Sequence, residues 1–124
     1  MGARLGRARN LFSDQLGANL PATFPVIDSW LDGIATSIKS IDLRAATYQD
    51  ATRLTYRLND YVNTLVFYEG GRFGVTTIES SAISGRVLSL AIPKGSMTAL
   101  QRSAIEAATA RAQPFGIDLI VTPF

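Results

Sequence analysis

Apolar and polar positions alternate over residues 24–43, and this alternation predicts two short strands joined by a turn at Asp32-Gly33. Successive side chains of a strand point to opposite faces of the sheet, so Ser37 and Lys39 share one face of the second strand. The isoleucine between them points to the other face. We therefore predict a hairpin with one polar face and one core face.

An acidic residue, Asp28, lies in the first predicted strand. Because facing residues of a hairpin are about 5 Å apart, we expect Asp28 to lie close to Ser37 and Lys39. Such a set suits metal-dependent phosphodiester hydrolysis, in which the carboxylate holds a divalent ion and the lysine stabilises negative charge. The same residue types also occur at this spacing without a catalytic role. Spacing alone leaves both interpretations open.

Three segments show the three- and four-residue spacing of apolar positions that is typical of amphipathic helices. The first covers residues 4–20 and ends before Pro21, and the second covers residues 47–67. The predicted core face of the second helix consists of Ala51, Leu54, Leu58, Tyr61 and Leu65. Its predicted outer face carries Asp50, Arg53, Arg57 and Asp60.

The third predicted helix begins after Thr98, because Thr98 and Gln101 have the spacing of a capping box, and it ends near Gln113. Small residues on one side of this helix would allow it to pack closely on a sheet. That side comprises Leu100, Ala104, Ala107 or Ala108, and Ala112.

Three further apolar runs predict strands at residues 73–78, 86–92 and 117–121. The predicted order is helix, strand, strand, helix, strand, strand, helix, strand. This order indicates an α/β fold, a mixed sheet flanked by helices, with the last strand–helix–strand unit as a right-handed parallel crossover. The chain shows no internal repeat and no linker, so residues 1–124 are predicted to form a single domain.

The composition excludes several classes of enzyme. The 124-residue chain has no cysteine and no histidine, which excludes disulfides, cysteine metal sites and catalysis by serine–histidine or cysteine–histidine pairs. Hydrolytic chemistry then depends on carboxylates, lysine, tyrosine or water on an oxygen-bound cation. No apolar run approaches the roughly 20 residues of a membrane helix, and no apolar segment typical of a secretory signal follows the N-terminal arginines.

The formal charge is +2, and ten of the twelve basic residues are arginine, which is compatible with nucleic-acid binding and equally with biased coding composition. Arg53 and Arg57 lie one helical turn apart and could meet a phosphate backbone. Lys94 lies in the loop before the third helix and could contact a phosphate near its N-terminus. For all three, a solvated side chain is the simpler interpretation.

For two further aspartates and three tyrosines, the sequence predicts the following roles. Asp32 is predicted to be a turn residue. Asp42 falls on the face opposite the lysine and is predicted to be a capping or pairing residue. Tyr48 and Tyr56 could stack on nucleotides, whereas Tyr61 belongs to the apolar helix face.

The segment GIATSIKSIDL at residues 33–43, preceded by FPVID at residues 24–28, resembles the core of a known family of nuclease toxin domains. These domains are found at the C-terminal ends of contact-dependent growth inhibition (CdiA-type) proteins and related filamentous haemagglutinin-like effectors. The runs LAIPKGSMTALQ at residues 90–101 and GIDLIVT at residues 116–122 fit the same family. The resemblance implies a restriction-endonuclease-like fold of the PD-(D/E)XK type, a divalent metal ion and cleavage of RNA, often transfer RNA.

In the scheme of this family, Asp28 corresponds to the metal-binding aspartate and Lys39 to the motif lysine. Ser37 stands where the motif usually has its second acid, a substitution that occurs in these toxins. The expected ion is magnesium, with manganese and zinc as alternatives. The resemblance also implies delivery as the C-terminal part of a larger cell-surface protein into the cytoplasm of a target bacterium. It further implies a cognate immunity protein, which we expect to be acidic because this chain is basic.

One position departs from the family pattern. Related domains carry a glutamate on the first helix, between an aromatic residue and an aspartate, and here the matching run is Phe12-Ser13-Asp14. A neutral hydroxyl is a weaker ligand than a carboxylate for a hard cation. Three explanations stay open: Ser13 is an engineered inactivation of a toxic chain, Asp14 takes over as a metal ligand, or this member is naturally weak.

The sequence thus leads to one principal hypothesis and two alternatives. The principal hypothesis is a metal-dependent endoribonuclease toxin acting on RNA, in particular transfer RNA, with Asp28, Ser37, Lys39 and the position of Ser13 in its site. The first alternative is a DNase on the same fold. The second is a non-catalytic nucleic-acid-binding module.

Overall fold

The structure is a computed structural model, and it describes residues 18–20, 26–73, 76–95 and 97–124. The predicted first helix lies almost wholly outside these ranges, and so do the candidate residues Ser13 and Asp14. The later predicted elements lie within them, apart from residues 24, 25, 74 and 75. None of the helices in the described ranges is long and apolar enough to cross a membrane.

The described residues form six strands and two α-helices. The strands are β1 (Ser29–Leu31), β2 (Ile34–Ser40), β3 (Gly71–Phe73), β4 (Thr76–Ile78), β5 (Gly85–Ile92) and β6 (Ile117–Pro123). The helices are α1 (Ala51–Val66) and α2 (Ala99–Ala112). Short 3₁₀ turns lie at Ala46–Gln49, Ser80–Ala82 and Gln113–Phe115.

Four of the strands form one mixed sheet in the order β1-β2-β5-β6. β1 and β2 are antiparallel, whereas β2, β5 and β6 run parallel to one another. The unit formed by β5, α2 and β6 is therefore a parallel crossover, as predicted. The α/β class, with helices against a mixed sheet, is confirmed.

The run at residues 73–78 forms a hairpin instead of the single strand that was predicted. β3 and β4 are antiparallel and make a separate two-stranded sheet, in which Phe73 pairs with Thr76. The single-strand prediction was wrong because apolar character alone does not distinguish one strand from two paired strands. The run also contains Gly74, a residue type that weakens a strand prediction.

The turn between β1 and β2 has the backbone conformation that its sequence indicates. Asp32 and Gly33 have φ of 52° and 83°, and positive φ at both central residues is what a type I′ hairpin turn requires. The hairpin also approaches the chain before β5 closely. The N–H of Ser84 donates to the carbonyl of Gly33 at 2.8 Å, and a Cβ on Gly33 would lie 2.6 Å from the Ser84 hydroxyl.

α1 begins four residues later than the sequence predicts. Residues 46–49 form a 3₁₀ turn, and Asp50 is the N-cap, since its side chain accepts a hydrogen bond from the N–H of Thr52. Asp50 was predicted on the outer face of the helix, and capping is its actual structural role. The buried side of α1 consists of Leu54, Leu58, Val62 and Leu65.

α2 begins with the predicted capping box, in which Thr98 and Gln101 exchange side-chain and backbone hydrogen bonds. The predicted core face was wrong at its first position, because Leu100 is 69% exposed. Gln101 is buried instead, and its side-chain amide donates to the carbonyls of Leu43 and Tyr48, each at 2.9 Å. This glutamine therefore ties the segment after β2 to the start of α2.

The main hydrophobic core lies between the sheet and the two helices. The strand register pairs Ser37 with Leu88 and Lys39 with Leu90, and paired residues of parallel strands share a face. Leu88 and Leu90 belong to the core that also contains buried residues of both helices. The prediction of a polar Ser37 face was therefore wrong, because β5 and α1 convert this face into the covered side of the sheet. Ile38 on the other face is also buried.

Candidate active site

Asp28 lies immediately before β1, not within the first strand as predicted. Its backbone N–H donates to the carbonyl of Thr36 at 2.8 Å, which extends the β1–β2 pairing by one residue. Its carboxylate oxygen Oδ2 accepts a hydrogen bond from the backbone N–H of Ile38 at 2.8 Å. The predicted proximity of Asp28 to the middle of β2 is thus confirmed. The prediction that Asp28 belongs to the first strand was wrong.

Residues 18–20 contact Asp28 at its backbone carbonyl. They are not helical, contrary to the prediction. The N–H groups of Asn19 and Leu20 each donate to the carbonyl of Asp28 at 3.0 Å. The side chain of Asn19 exchanges two hydrogen bonds with the backbone of Trp30, at 2.8 and 3.0 Å. These contacts satisfy an edge of β1 and fix the segment that carries Asp28.

Ser37 occupies the middle of β2 and is 3% exposed. Ser29 pairs with Thr36 in the hairpin, so the same register places Asp28 opposite Ser37. Residues opposite each other on antiparallel strands share a face, and Ser37 and Lys39 share a face by alternation. Asp28, Ser37 and Lys39 therefore lie on one face, next to α1.

Lys39 is half-buried, and its Nζ lies 5.5 Å from the centroid of the Tyr61 ring on α1. This is cation–π geometry. In the part of the chain that the structure describes, Lys39 forms no ion pair. The ammonium group is thus positioned by an aromatic ring and not by a described carboxylate.

Arg57 contacts the same ring, with its guanidinium carbon 5.9 Å from the Tyr61 centroid. A hydrogen bond with the Tyr48 hydroxyl raises the pKa of Arg57, with the charge effects of Tyr48 and Tyr61 adding to it. Burial raises the pKa of the Tyr61 hydroxyl, although the nearby Arg57 charge acts in the opposite direction. Arg57 and Lys39 thus contact the same ring. The sequence predicted Arg57 as an outer-face residue that could meet a phosphate backbone, and it did not predict this contact.

The other two predicted substrate-binding residues are exposed and lie apart from this contact. Arg53 lies on α1 and forms a 3.8 Å ion pair with Asp50. Lys94 lies in the turn after β5, where its backbone N–H donates to the carbonyl of Phe124. No contact joins Lys94 to Lys39 or Asp28 among the described residues.

Two further aspartates have the structural roles that were predicted. Asp32 is a residue of the hairpin turn. Asp42 pairs with Arg44, whose N–H and Nε both donate to its carboxylate, at 3.0 and 2.9 Å. These hydrogen bonds lower the pKa of Asp42 below its usual value.

The described residues can supply part of the ligand set of a hard divalent cation. Asp28 offers one carboxylate, and no described residue donates to its second oxygen. Magnesium is commonly held by one or two carboxylates, with water and substrate phosphate completing its shell. Within the described ranges, no group of three or more Asp or Glu residues could hold a metal by itself. The carboxylate supplied by the described residues fits a magnesium-like ion that is shared with a substrate.

Sequence reasoning missed the contribution of Tyr61 and Tyr48. Tyr61 was assigned to the core because of its helical spacing, and it is indeed partly buried against the core. Its contact with Lys39 depends on how α1 lies on the sheet, which no local pattern encodes. The one available signal was the four-residue spacing of Arg57 and Tyr61, which places both on one side of a helix.

Comparison with solved structures identifies a close match in fold. A chain of the CdiA-CT/CdiI toxin and immunity complex from Yersinia pseudotuberculosis matches with a TM-score of 0.79 and 22% sequence identity. The match covers 90% of this chain and 97% of that chain. At this identity the likeness establishes the fold. A search of curated protein sequences found no match.

A family profile provides the assignment by sequence. The profile described as "CDI toxin restriction endonuclease-like domain" matches residues 9–122, which is nearly all of the 124-residue chain. The match agrees with the mixed sheet and its two flanking helices, and with the resemblance noted in the hairpin segment. The chain therefore belongs to the family of CDI toxin restriction endonuclease-like domains, the nuclease-like toxins of interbacterial competition.

Proposed function

We propose that this domain is a metal-dependent endonuclease toxin whose active site is built on Asp28, Ser37 and Lys39. The observation that carries the proposal is the hydrogen bond from the Ile38 N–H to the Asp28 carboxylate. It holds an acid beside the strand residues on either side of Ile38, a buried hydroxyl and a lysine. Oxygen ligands and an amine are the groups that phosphodiester hydrolysis needs when histidine is absent.

Each of the three side chains has a distinct role in the proposed reaction. Asp28 is a metal ligand through the carboxylate oxygen that Ile38 does not contact. Lys39 presents its charge to the scissile phosphate and stabilises the negative charge that develops on its oxygens. Ser37 is almost fully buried and donates a hydrogen bond to a water or phosphate oxygen held next to Asp28.

A divalent cation at this site supplies charge neutralisation and water activation. Magnesium is the first choice, because one described carboxylate suits an ion that retains waters and binds substrate phosphate. Manganese and zinc are the alternatives. The first helix of the family scheme contributes a further ligand position, which is Ser13 here, and Asp14 is the neighbouring carboxylate that could replace it.

RNA, and transfer RNA in particular, is the proposed substrate, with DNA as the alternative on the same fold. The support for RNA is the resemblance to toxins that cleave it. The support common to both is the charge of the site, since Lys39 lies 5.5 Å and Arg57 lies 5.9 Å from the centroid of the same aromatic ring. Two cations that contact one ring suit successive phosphates of a strand.

The proposal includes a protein partner and a route of delivery. The similar structure from Yersinia pseudotuberculosis is a toxin and immunity complex. By analogy this domain has a cognate immunity protein, and the net charge of +2 favours an acidic one. The domain is delivered as the C-terminal part of a larger cell-surface protein and acts in the cytoplasm of the target cell.

The direct test is cleavage of total RNA and of plasmid DNA by the chain and by its Ser13→Glu variant. Each reaction contains magnesium, manganese or zinc, and a matched reaction contains EDTA. Degraded transfer RNA with intact plasmid supports the first choice of substrate, and degraded plasmid with intact transfer RNA assigns the DNase. Cleavage that persists in EDTA, or no cleavage of either substrate by either chain, contradicts the metal-dependent nuclease.

A further inference from the structure

A groove of about 360 Å³ lies over the first two turns of α1 and the 3₁₀ turn that precedes it. It is lined by Thr47, Tyr48, Thr52, Arg53, Tyr56 and Arg57. None of these six residues is acidic, and the combination of tyrosines with arginines is typical of surfaces that bind single-stranded nucleic acid. The groove is distinct from the hairpin that carries Asp28.

Tyr56 presents an aromatic surface in this groove. Its side chain is 73% exposed, and Arg53 and Arg57 line the same groove. Phe67 is similarly exposed at the opposite end of α1, but it does not line the groove. An isolated exposed ring needs no explanation, whereas an exposed ring in a groove that also contains cations offers a platform on which a base can stack.

Each of the two arginines of the groove forms a long ion pair with a carboxylate of the same helix region. Arg53 lies 3.8 Å from the carboxylate of Asp50, and Arg57 lies 3.7 Å from that of Asp60. All four side chains are at least 44% exposed, so these pairs contribute little and a phosphate can replace the carboxylate. A guanidinium can bind a phosphate through two parallel hydrogen bonds, which makes the exchange favourable.

Arg57 and Tyr61 link the groove to the candidate active site. Arg57 lines the groove and lies 5.9 Å from the Tyr61 centroid, while Lys39 lies 5.5 Å from the same centroid. A strand whose scissile phosphate contacts Lys39 therefore has its adjoining nucleotides beside Arg57. Tyr56, one residue earlier on the helix, is then in reach of a neighbouring base.

We propose that this groove binds an unpaired nucleotide next to the scissile phosphate, with its base on Tyr56 and its phosphates on Arg53 and Arg57. The inference rests on the proposed nuclease function, which fixes where the scissile phosphate lies. A base can stack on a side chain only when it is splayed out of a helix, so the groove selects single-stranded or looped segments. RNA and DNA share this chemistry, since each base has an aromatic face and each nucleotide a phosphate.

Binding measured without cleavage tests the inference. The full chain is titrated, in EDTA, into short fluorescent strands of RNA and of DNA and into the corresponding duplexes, and anisotropy reports the Kd. We expect Tyr56→Ala to weaken binding of the single strands by about tenfold, as the loss of one base stack does, and to leave duplex binding unchanged. Phe67→Ala, which removes an exposed ring outside the groove, is the matched control and leaves all Kd values unchanged.

The arginines are tested by the salt dependence of the same binding. Arg57→Gln is expected to reduce the slope of log K against log salt by about one for the single strands, because one phosphate contact is lost. Arg102→Gln, on the exposed side of α2, is the control and retains the wild-type slope. Tighter binding of the RNA strand identifies RNA as the source of the nucleotide, and tighter binding of the DNA strand identifies DNA.

Unchanged single-strand affinity in Tyr56→Ala overturns the inference, and so does an equal loss for strands and duplexes. These outcomes are separate from those that test the nuclease, because they are read in EDTA from affinity alone. An inactive chain with a Tyr56-dependent preference for single strands would refute the proposed nuclease and leave the nucleotide groove in place.

Discussion

The backbone N–H of Ile38 and the carboxylate of Asp28 are joined by a 2.8 Å hydrogen bond across the β1–β2 hairpin. Ile38 is buried, and it separates Ser37 from Lys39. The acid is therefore held by the backbone of the strand that carries its two proposed partners. This arrangement makes the position of the carboxylate a property of the fold, independent of any bound cation.

The loss of stability on substitution of Asp28 is expected to depend on whether the new side chain can accept a hydrogen bond. Asp28→Ala leaves the Ile38 N–H without its partner and should lower the free energy of unfolding by about 2 kcal/mol. Asp28→Asn keeps a carbonyl oxygen for this N–H, and its loss should be about 1 kcal/mol because only the charge is removed. Urea denaturation of both variants measures the difference, and equal losses would contradict the hydrogen-bonding role.

Tyr61 is expected to act as a positioning residue for Lys39. Tyr61→Phe keeps the ring and should retain most of the cleavage rate and stability. Tyr61→Leu removes the cation–π contact, worth about 0.5–1 kcal/mol, and should lower kcat more than it raises KM because the lysine loses its orientation. Steady-state cleavage of both variants gives the comparison, and a Phe variant as impaired as the Leu variant would refute the role of the ring.

Gln101 is expected to be among the polar residues on which the fold depends most. Gln101→Ala removes the two amide bonds to the carbonyls of Leu43 and Tyr48 and the bond that the side-chain oxygen accepts from the Thr98 N–H, which should cost about 3 kcal/mol. Gln113→Ala, at an exposed glutamine after the same helix, is the control and should change stability little. Thermal unfolding of the two variants tests this prediction, and similar Tm values would show that these hydrogen bonds do not contribute to stability.

Asp42 should contribute to the acid sensitivity of stability. Arg44 lowers its folded pKa below 3.8, so the stabilisation is present above pH 3.8 and is lost as the pH falls through the folded value. Asp42→Asn should therefore lower Tm slightly at neutral pH and have no effect at strongly acidic pH. The exposed pair is screened by salt, so the difference should shrink at high ionic strength. A difference that grows towards acid pH would contradict this account.

The parts of the fold that could be predicted from sequence depend on local chemistry. The Asp32-Gly33 turn fixes the hairpin register because few residues adopt positive φ at two successive positions. The capping box fixes the start of α2 because Thr98 and Gln101 satisfy each other. The second role of Gln101 is a contact with Leu43, 58 residues away, and no local pattern indicates it.

In the candidate site, too, some features follow from local sequence and others depend on residues that are distant in the chain. The proximity of Asp28 to β2 follows from hairpin geometry, and it could be predicted. The covered face around Ser37 could not, because it depends on Leu88 and Leu90 of a parallel neighbour that is distant in sequence. The contact of Lys39 with Tyr61 depends in turn on how α1 packs on that face. Ser13 and Asp14 lie outside the described residues, so their contribution stays a prediction.

The central claim is that Asp28 and Lys39 act together in phosphodiester cleavage. The most direct measurement is the single-turnover rate on labelled RNA and DNA, with divalent metal, of Asp28→Asn, Lys39→Ala and the control Arg102→Gln. Each variant is made in the chain as it stands and with Ser13→Glu. We predict losses of at least about 100-fold for the first two, the typical effect of removing a group that stabilises transition-state charge, and none for the control. Rates of Asp28→Asn and Lys39→Ala equal to that of the control would contradict the account.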